Sequence, residues 1–383
     1  MGSDSPIPDR SILGLLPMLY FNYAGLGREE LASRTETRIV QDNFEQVLFS
    51  EAGVRWYSNQ VEKCQRVVQR MLGISASDSH ANIIFVPNAT TAFQIILSEV
   101  DLQKGDVVLT SKQEHPAIIR PLLRLREKGI ELQVIDADSE GEFCEKLTDL
   151  VSKYEVRMLV ISHVSYTDGR IFPLRRISEI TKQQNMIMAI DGAQAVGHLP
   201  IDLQNVAADF YFFSGHKWCC GPVGTGACFV SHKYLERNTR IKLSLLELGS
   251  VQKYFDLGTQ PIGLISGLAK ACEMRMENLP SLTKHLLKLQ DQFRELASHL
   301  KGAHLSIWNG EHAPGICTLR LEGANRSPNL IADHLQQHYG IAVKPLNYPE
   351  LPGQLRISYL RETSESDIQK LVDCLRDTLS DFD

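Results

Sequence analysis

From residue 80 to 230 short apolar runs alternate with longer amphipathic segments, a texture that fits a parallel sheet whose strands are joined by crossover helices. The runs expected as strands are 83–86, 106–110, 132–135, 158–162, 186–190, 209–213 and 227–230, which gives a mostly parallel, seven-stranded sheet. The segments 91–100, 116–128, 142–153 and 174–184 are long enough to carry one strand back to the next. After residue 262 the texture changes to two long helical stretches over 262–300, strand-like pieces at 315–321, 341–344 and 354–360, and a closing helix at 364–380. The expectation is an α/β large domain over 22–261 and a smaller α+β domain built from 1–21 and 262–383.

A chain of 383 residues with 43% apolar and 22% charged residues has enough material for two cores. Its net charge of −6 is spread without a Lys/Arg block, which argues against nucleic acid and anionic lipid as partners. No stretch approaches the roughly 18 uncharged apolar residues that cross a bilayer. MGSDSPIPDR reads as a flexible leader, lacks the apolar core of a secretory signal, and leaves a cytoplasmic protein as the expectation. The eight cysteines are scattered without CxxC spacing, so reduced thiols packed as small hydrophobes are expected, with no disulfide and no metal site.

Ligands of open parallel sheets bind beyond the carboxyl ends of the strands, and the residues there are unusually polar. Pro87-Asn88-Ala89-Thr90-Thr91 follows the first strand and opens a helix, putting the N–H groups of Ala89 and Thr90 where a phosphate binds or where an ordinary N-cap sits. The next strands lead into Glu114-His115-Pro116, into His163, and into Asp191-Gly192-Ala193-Gln194. Asp191 either balances a buried cation or caps the following turn. The last cluster, Ser214-Gly215-His216-Lys217-Trp218 before the glycine-rich 221–226, sets a lysine at an apolar strand end, where desolvation turns an ammonium into a nucleophilic amine.

These motifs, FNYAGLG (21–27), NATT (88–91), EHP (114–116), DGAQAVGHLPIDL (191–203) and SGHKWCCGPVGTG (214–226), resemble in residues and order the class V, fold-type I pyridoxal-phosphate (PLP) enzymes, over nearly the whole chain. That group includes cysteine desulfurases, cystine lyases, kynureninases and epimerase-like proteins. The resemblance implies a Schiff base between PLP and Lys217, which also moves the Cα proton, and Asp191 on the pyridinium nitrogen, where a carboxylate keeps the ring protonated as an electron sink. It implies Gln194 on the ring 3-hydroxyl and His115 stacked on the ring face as a proton relay. Ala89, Thr90, Ser214 and His216 resemble the phosphate cup, which Gly258-Thr259 of a partner subunit completes in a homodimer with shared sites. Arg356 falls where the family holds the substrate carboxylate, a contact of about 1.5–3 kcal/mol, with Arg361 as the fallback and Asn22 and His163 also lining the substrate pocket.

Desulfurases of this group carry a mobile nucleophilic cysteine in the loop that corresponds to KPLNYPELPGQL (344–355), and here that span has none. Cys219 and Cys220 follow the lysine on an apolar turn, where packing is the expected role. The implied activity is therefore a carbon-sulfur β-lyase that acts on cystine, cysteine or a cysteine S-conjugate. The alternatives are a class V aminotransferase, an amino-acid epimerase or a desulfurase-like sulfur-transfer protein. His115 favours the lyase, because many transaminases of the class resemble one another in carrying an aromatic residue at the stacking position. The loops expected to set the substrate's size and charge are 45–59, 240–257 and 344–353.

Overall fold

The computed structural model describes residues 18–47, 50–75, 82–182, 184–238, 258–306, 308–323, 327–348 and 351–382. The leader and residues 240–257 of the specificity loops lie outside them. Backbone contacts divide the chain into a large unit, Leu26–Thr283 with Trp308–Ala313, and a small unit, Met1–Gly25, Lys284–Ile307 and Pro314–Asp383.

After a two-residue strand β1 (Leu19–Tyr20) of the small unit, the large unit carries β2 (Asn82–Val86), β3 (Val107–Ser111), β4 (Glu131–Ile135), β5 (Val156–Ser162), β6 (Ile187–Asp191), β7 (Phe210–Ser214) and β8 (Gly226–Val230). They form one 7-stranded sheet in the order β2-β8-β7-β6-β5-β3-β4. The pairs β3–β4, β3–β5, β5–β6 and β6–β7 are parallel, while β8 runs antiparallel to β7 and β2. That reversal follows from chain length, since 215–225 is too short to hold the crossover helix that a parallel return needs. Strands β3, β6, β7 and β8 are buried along their whole length, whereas the edge strand β4 alternates between exposed and buried residues, as sheets covered on both faces require.

The crossover helices are Ala89–Glu99, Pro116–Leu125, Glu140–Lys153 and Leu174–Thr181. Asn88, His115 and Ser139 cap the first three with side chains that accept backbone N–H groups, and Pro116 sits at the first helical turn, where its missing N–H costs nothing. Phe93, Val108, Met158, Ala189, Phe210 and Phe212 belong to one core between sheet and helices, and each fully buried large side chain there contributes about 1.5–3 kcal/mol. This core fixes the strand ends that carry the polar motifs.

Three features depart from the sequence reading: one is that 344–353, expected as a loop, lies mostly in strands, Lys344–Tyr348 and Leu351–Ser358. Most of 45–59 belongs not to a loop but to helices Leu31–Val47 and Glu51–Met71, the second started by Ser50, whose hydroxyl accepts the Gly53 N–H at 2.9 Å. The N-cap serine followed at once by an acidic residue was the available signal. The stretch expected as two helices is one, Ile262–Ala297, continuous through Pro280. A proline removes one hydrogen bond there, and the turns on either side hold the rest. The border between the two units falls within this helix.

In the small unit, β9 (Ala303–Leu305), β10 (Ile316–Leu321), β12 (Lys344–Tyr348) and β13 (Leu351–Ser358) form an antiparallel sheet in the order β12-β13-β10-β9, and β1 pairs in parallel with β11 (Ile341–Ala342). Helices Pro328–Tyr339 and Glu365–Asp381 belong to the same unit. The second begins with a capping box in which Ser364 and Asp367 satisfy each other's backbone N–H groups. Among the described residues no helix is long and apolar enough to cross a membrane.

Candidate active site

Four parallel strands and the first residue of the helix after β2 deliver the polar motifs to one edge of the large sheet. Asp191 ends β6 beside Ser162, its register partner at the end of β5. It is 7% exposed, and its Oδ1 accepts the Ala193 N–H at 2.8 Å. Burial raises its carboxyl above the usual range, and the Lys217 ammonium pulls the other way. The carboxylate and the lysine therefore lie within electrostatic reach of each other. Lys217 is half-buried on the turn after β7.

Glu114, the acid next to His115 in EHP, ties the ends of β3 and β5 together. It is buried and accepts Ser111 Oγ at 2.6 Å and Ser162 N at 3.0 Å on Oε1, and Ser162 Oγ at 2.7 Å on Oε2. Burial pushes its carboxyl up to about 7 against the pull of those serines, and the charge of Asp191 adds to the rise. The only sequence signal was an acid next to a candidate histidine, with serines at the ends of two neighbouring strands.

His115 caps the helix Pro116–Leu125, and its Nδ1 accepts the Ala117 N–H at 3.1 Å. An imidazole nitrogen that accepts a backbone proton has none of its own, so the neutral ring carries its hydrogen on Nε2. The Tyr166 ring stands edge-on to it, centroids 4.8 Å apart. His163 donates its backbone N–H to the Asp191 carbonyl at 2.8 Å, and its Nδ1 lies 2.9 Å from Tyr211 Oη. Burial lowers its pKa to about 4, so it is an uncharged partner of a buried tyrosine. Tyr211 itself occupies the space beside Gly192, where an added Cβ would lie 2.3 Å from its ring.

At the other side, Ser214 Oγ accepts the Ala89 N–H at 3.0 Å, which leaves the serine's own hydrogen available to donate. Asn88 Oδ1 takes the Thr91 N–H at 2.9 Å, and Thr90 is exposed at the same helix end. His216 Nδ1 is buried and makes no well-formed hydrogen bond to the described residues. Burial and the neighbouring Lys217 charge lower the basicity of this ring, and the Thr225 carbonyl partly offsets them. Helix N–H groups, two hydroxyls and an imidazole nitrogen form a donor set suited to a phosphate, and a carboxylate beside a lysine suits a ring nitrogen and an aldehyde. The residues present thus fit PLP.

Gly258 and Thr259 are exposed, and the next residue, Gln260, is tied to Tyr57 through its N–H at 2.9 Å. In the small unit Arg356 is 4% exposed on β13, between Thr318 of β10 and Lys344 of β12, and its Nη2 donates to Asn22 Oδ1 at 2.9 Å. Asn22 in turn accepts Tyr20 Oη and the Gly25 N–H on its carbonyl. Arg361 is by contrast an exposed side chain beside Glu362. All eight cysteines are free and buried.

Known proteins with related sequences and folds handle sulfur. A probable cysteine desulfurase of Methanothermobacter thermautotrophicus is 27% identical over 79% of this chain and 77% of its own. The apo structure of the cysteine desulfurase from Thermococcus onnurineus NA1 superposes with a TM-score of 0.80 at 19% identity, covering 99% of this chain and 100% of that one. The cystine C–S lyase C-DES, solved with its reaction product cysteine persulfide, gives a TM-score of 0.77 at 19% identity, covering 95% and 99%. The solved structures share the fold. The family model for class V aminotransferases matches residues 51–371, and the chain therefore belongs to that PLP-dependent family.

Proposed function

We propose that this protein is a PLP-dependent carbon-sulfur β-lyase that converts cystine, cysteine or a cysteine S-conjugate to pyruvate, ammonia and a thiol or persulfide. Bound PLP supplies an electron sink for the substrate's Cα. Lys217 Nζ holds the cofactor and then takes the Cα proton. Asp191, whose carboxyl burial raises and the lysine charge draws part of the way back down, keeps a proton on the ring nitrogen. As the Cβ–S bond breaks, its electron pair leaves with sulfur, and His115 Nε2–H is the group that protonates it. A Cα–Cβ double bond remains in the released enamine, which water hydrolyses to pyruvate and ammonia.

Ser214, Thr90, His216 and the Ala89 backbone orient the phosphate, and Gln194 meets the ring oxygen. Arg356 and Asn22 bind the substrate carboxylate, with His163 also lining the substrate pocket. The exposed Gly258-Thr259 pair fits a homodimer in which it completes the partner's phosphate cup.

The observation that carries the lyase reading is the state of the thiols. A desulfurase needs a cysteine that reaches the substrate sulfur, and all eight here are buried, with none in the span of β12 and β13. The names of the relatives favour desulfurase-like chemistry as the second reading. Purified protein loaded with PLP is to be given cystine, cysteine and S-conjugates, with products identified by mass. Pyruvate with released thiol or persulfide is expected. Alanine would favour the desulfurase, a keto acid retaining its sulfur would favour a transaminase, and PLP binding without any of these would remove the assignment.

A further inference from the structure

Gln194 has two chemically different ends, and only one of them helps a cofactor oxygen. Its side-chain orientation is set by Trp218, 24 residues later in the chain, whose Nε1 lies 2.6 Å from Gln194 Oε1. An indole nitrogen only donates, so the carbonyl end of the amide must face it. The amide nitrogen, a pure donor, then points the other way.

The indole is itself held in place from several directions. Trp218 is 0% exposed, and the His198 ring stacks on it at 3.7 Å between centroids and 9° between planes. His198 Nδ1 is 3.0 Å from the Gln194 carbonyl, so it donates to the backbone of the residue whose side chain the indole fixes. Burial lowers the His198 pKa to about 3, which leaves that ring neutral. Gly197 adopts φ +86, and a Cβ there would lie 2.6 Å from the Trp218 carbonyl carbon. Gly197, His198 and Trp218 thus form one clamp.

We propose that Trp218 is a positioning residue that locks the Gln194 amide with its nitrogen end toward the cofactor, so that the ring's 3-oxygen always meets a donor. This rests on the PLP reading given above. A donor on that oxygen stabilises it most when the neighbouring Lys217 nitrogen has lost its proton, because the oxygen then bears the fuller negative charge. The clamp therefore lowers the pH at which the yellow chromophore changes protonation state. It costs no charge in the core.

The test is an absorbance titration of the PLP-loaded protein. Trp218→Phe keeps an aromatic ring against His198 and removes the N–H together with one ring of the indole, so the melting temperature is read beside the midpoint. Its chromophore midpoint is expected to rise by about 0.5–1 pH unit, a roughly 3- to 10-fold change in the proton equilibrium. Gln194→Glu, which keeps an acceptor for the indole but replaces the donor end, should raise it at least as much, and adding Trp218→Phe to it should add little. A purely packing role for Trp218 would move the melting temperature and leave the midpoint in place, and that result overturns the proposal. Should Trp218→Phe not fold, an unmoved midpoint in Gln194→Glu overturns it equally. If the unaltered protein forms no borohydride-fixable chromophore on Lys217, the PLP reading itself has failed, a distinct outcome.

Discussion

Asp168 and Asp191 are both buried in the large unit, the first in the loop after β5 and the second at the end of β6, yet their charges are balanced in different ways. Asp168 is saturated: Arg170 Nε lies 3.1 Å from Oδ1 and 2.9 Å from Oδ2, and Arg170 Nη2 lies 2.6 Å from Oδ2. That guanidinium is also tied to the Ala137 carbonyl at 2.9 Å and covers the Trp308 ring at 4.3 Å. Asp191 accepts one backbone N–H at 2.8 Å and feels a lysine that is half-buried. A carboxylate used for structure is given a fork of donors that never leaves. The carboxylate proposed for chemistry is given burial and a cation proposed to change its own bonding.

The sharpest way to break this contrast is Lys217→Ala. Turnover should fall by about 10⁴-fold or more, since the same nitrogen holds the cofactor and moves the proton, while the urea midpoint changes little. Measured pyruvate release at an appreciable fraction of the wild-type rate would mean that Asp191 faces the wrong cation. The opposite pattern is expected at the structural pair. Arg170→Ala leaves Asp168 buried without its fork and should cost about 3–5 kcal/mol in denaturant unfolding, whereas Arg170→Met with Asp168→Leu should recover most of it. Loss of the PLP chromophore in the double variant at full folding would erase the distinction between the two carboxylates.

A third buried charge tests whether the contrast extends to the small unit. Arg356 donates from Nη2 to the neutral amide of Asn22, which fixes one end of the guanidinium. Arg356→Ala should weaken substrate binding about 10- to 100-fold, equal to roughly 1.4–2.7 kcal/mol, seen as a raised KM with a smaller change in kcat. Equal losses in both would show that the carboxylate anchor lies elsewhere.

How much of this was legible in the sequence depended on distance along the chain. Asp191 and Lys217 follow apolar strands directly, so a local pattern placed them at strand ends, and the strands themselves appear within a residue or two of the expected bounds. The reversal of β8 was legible in the brevity of the 215–225 connection, whereas the order of the strands, with β3 beside β5, was not written in any one segment. The pair Asn22–Arg356 joins residues 334 apart, and no pattern in either segment announces the contact. The three hydroxyl and amide donors to Glu114 come from two strands that become neighbours only when the sheet forms. Helix Glu51–Met71 hides its start for another reason: among its first turns only Gly53 is buried and Arg55 pairs with Glu51 on an exposed surface, while its apolar face, Cys64, Val67, Val68 and Met71, lies further on.

Glu114 supplies the smallest and most specific effect. Its carboxyl is raised by burial to about 7 in the folded chain, against about 4.3 for an unperturbed glutamate. The folded state therefore holds this proton more tightly than the unfolded one, and stability must fall as pH rises through about 7. For one such group the loss between pH 6 and pH 8 is about 1.4 kcal/mol. Glu114→Gln mimics the protonated acid, with an oxygen to accept from Ser111 Oγ and a nitrogen to donate to Ser162 Oγ, since either serine hydroxyl can donate or accept. Between pH 6 and pH 8 the margin of the variant over the wild type in urea unfolding should grow by about that amount. All other titrating groups are common to both proteins, so the difference between the two curves isolates this carboxyl. Parallel curves across that range would mean that Glu114 is ionised throughout, and Asp191 would then have a second negative charge within electrostatic reach.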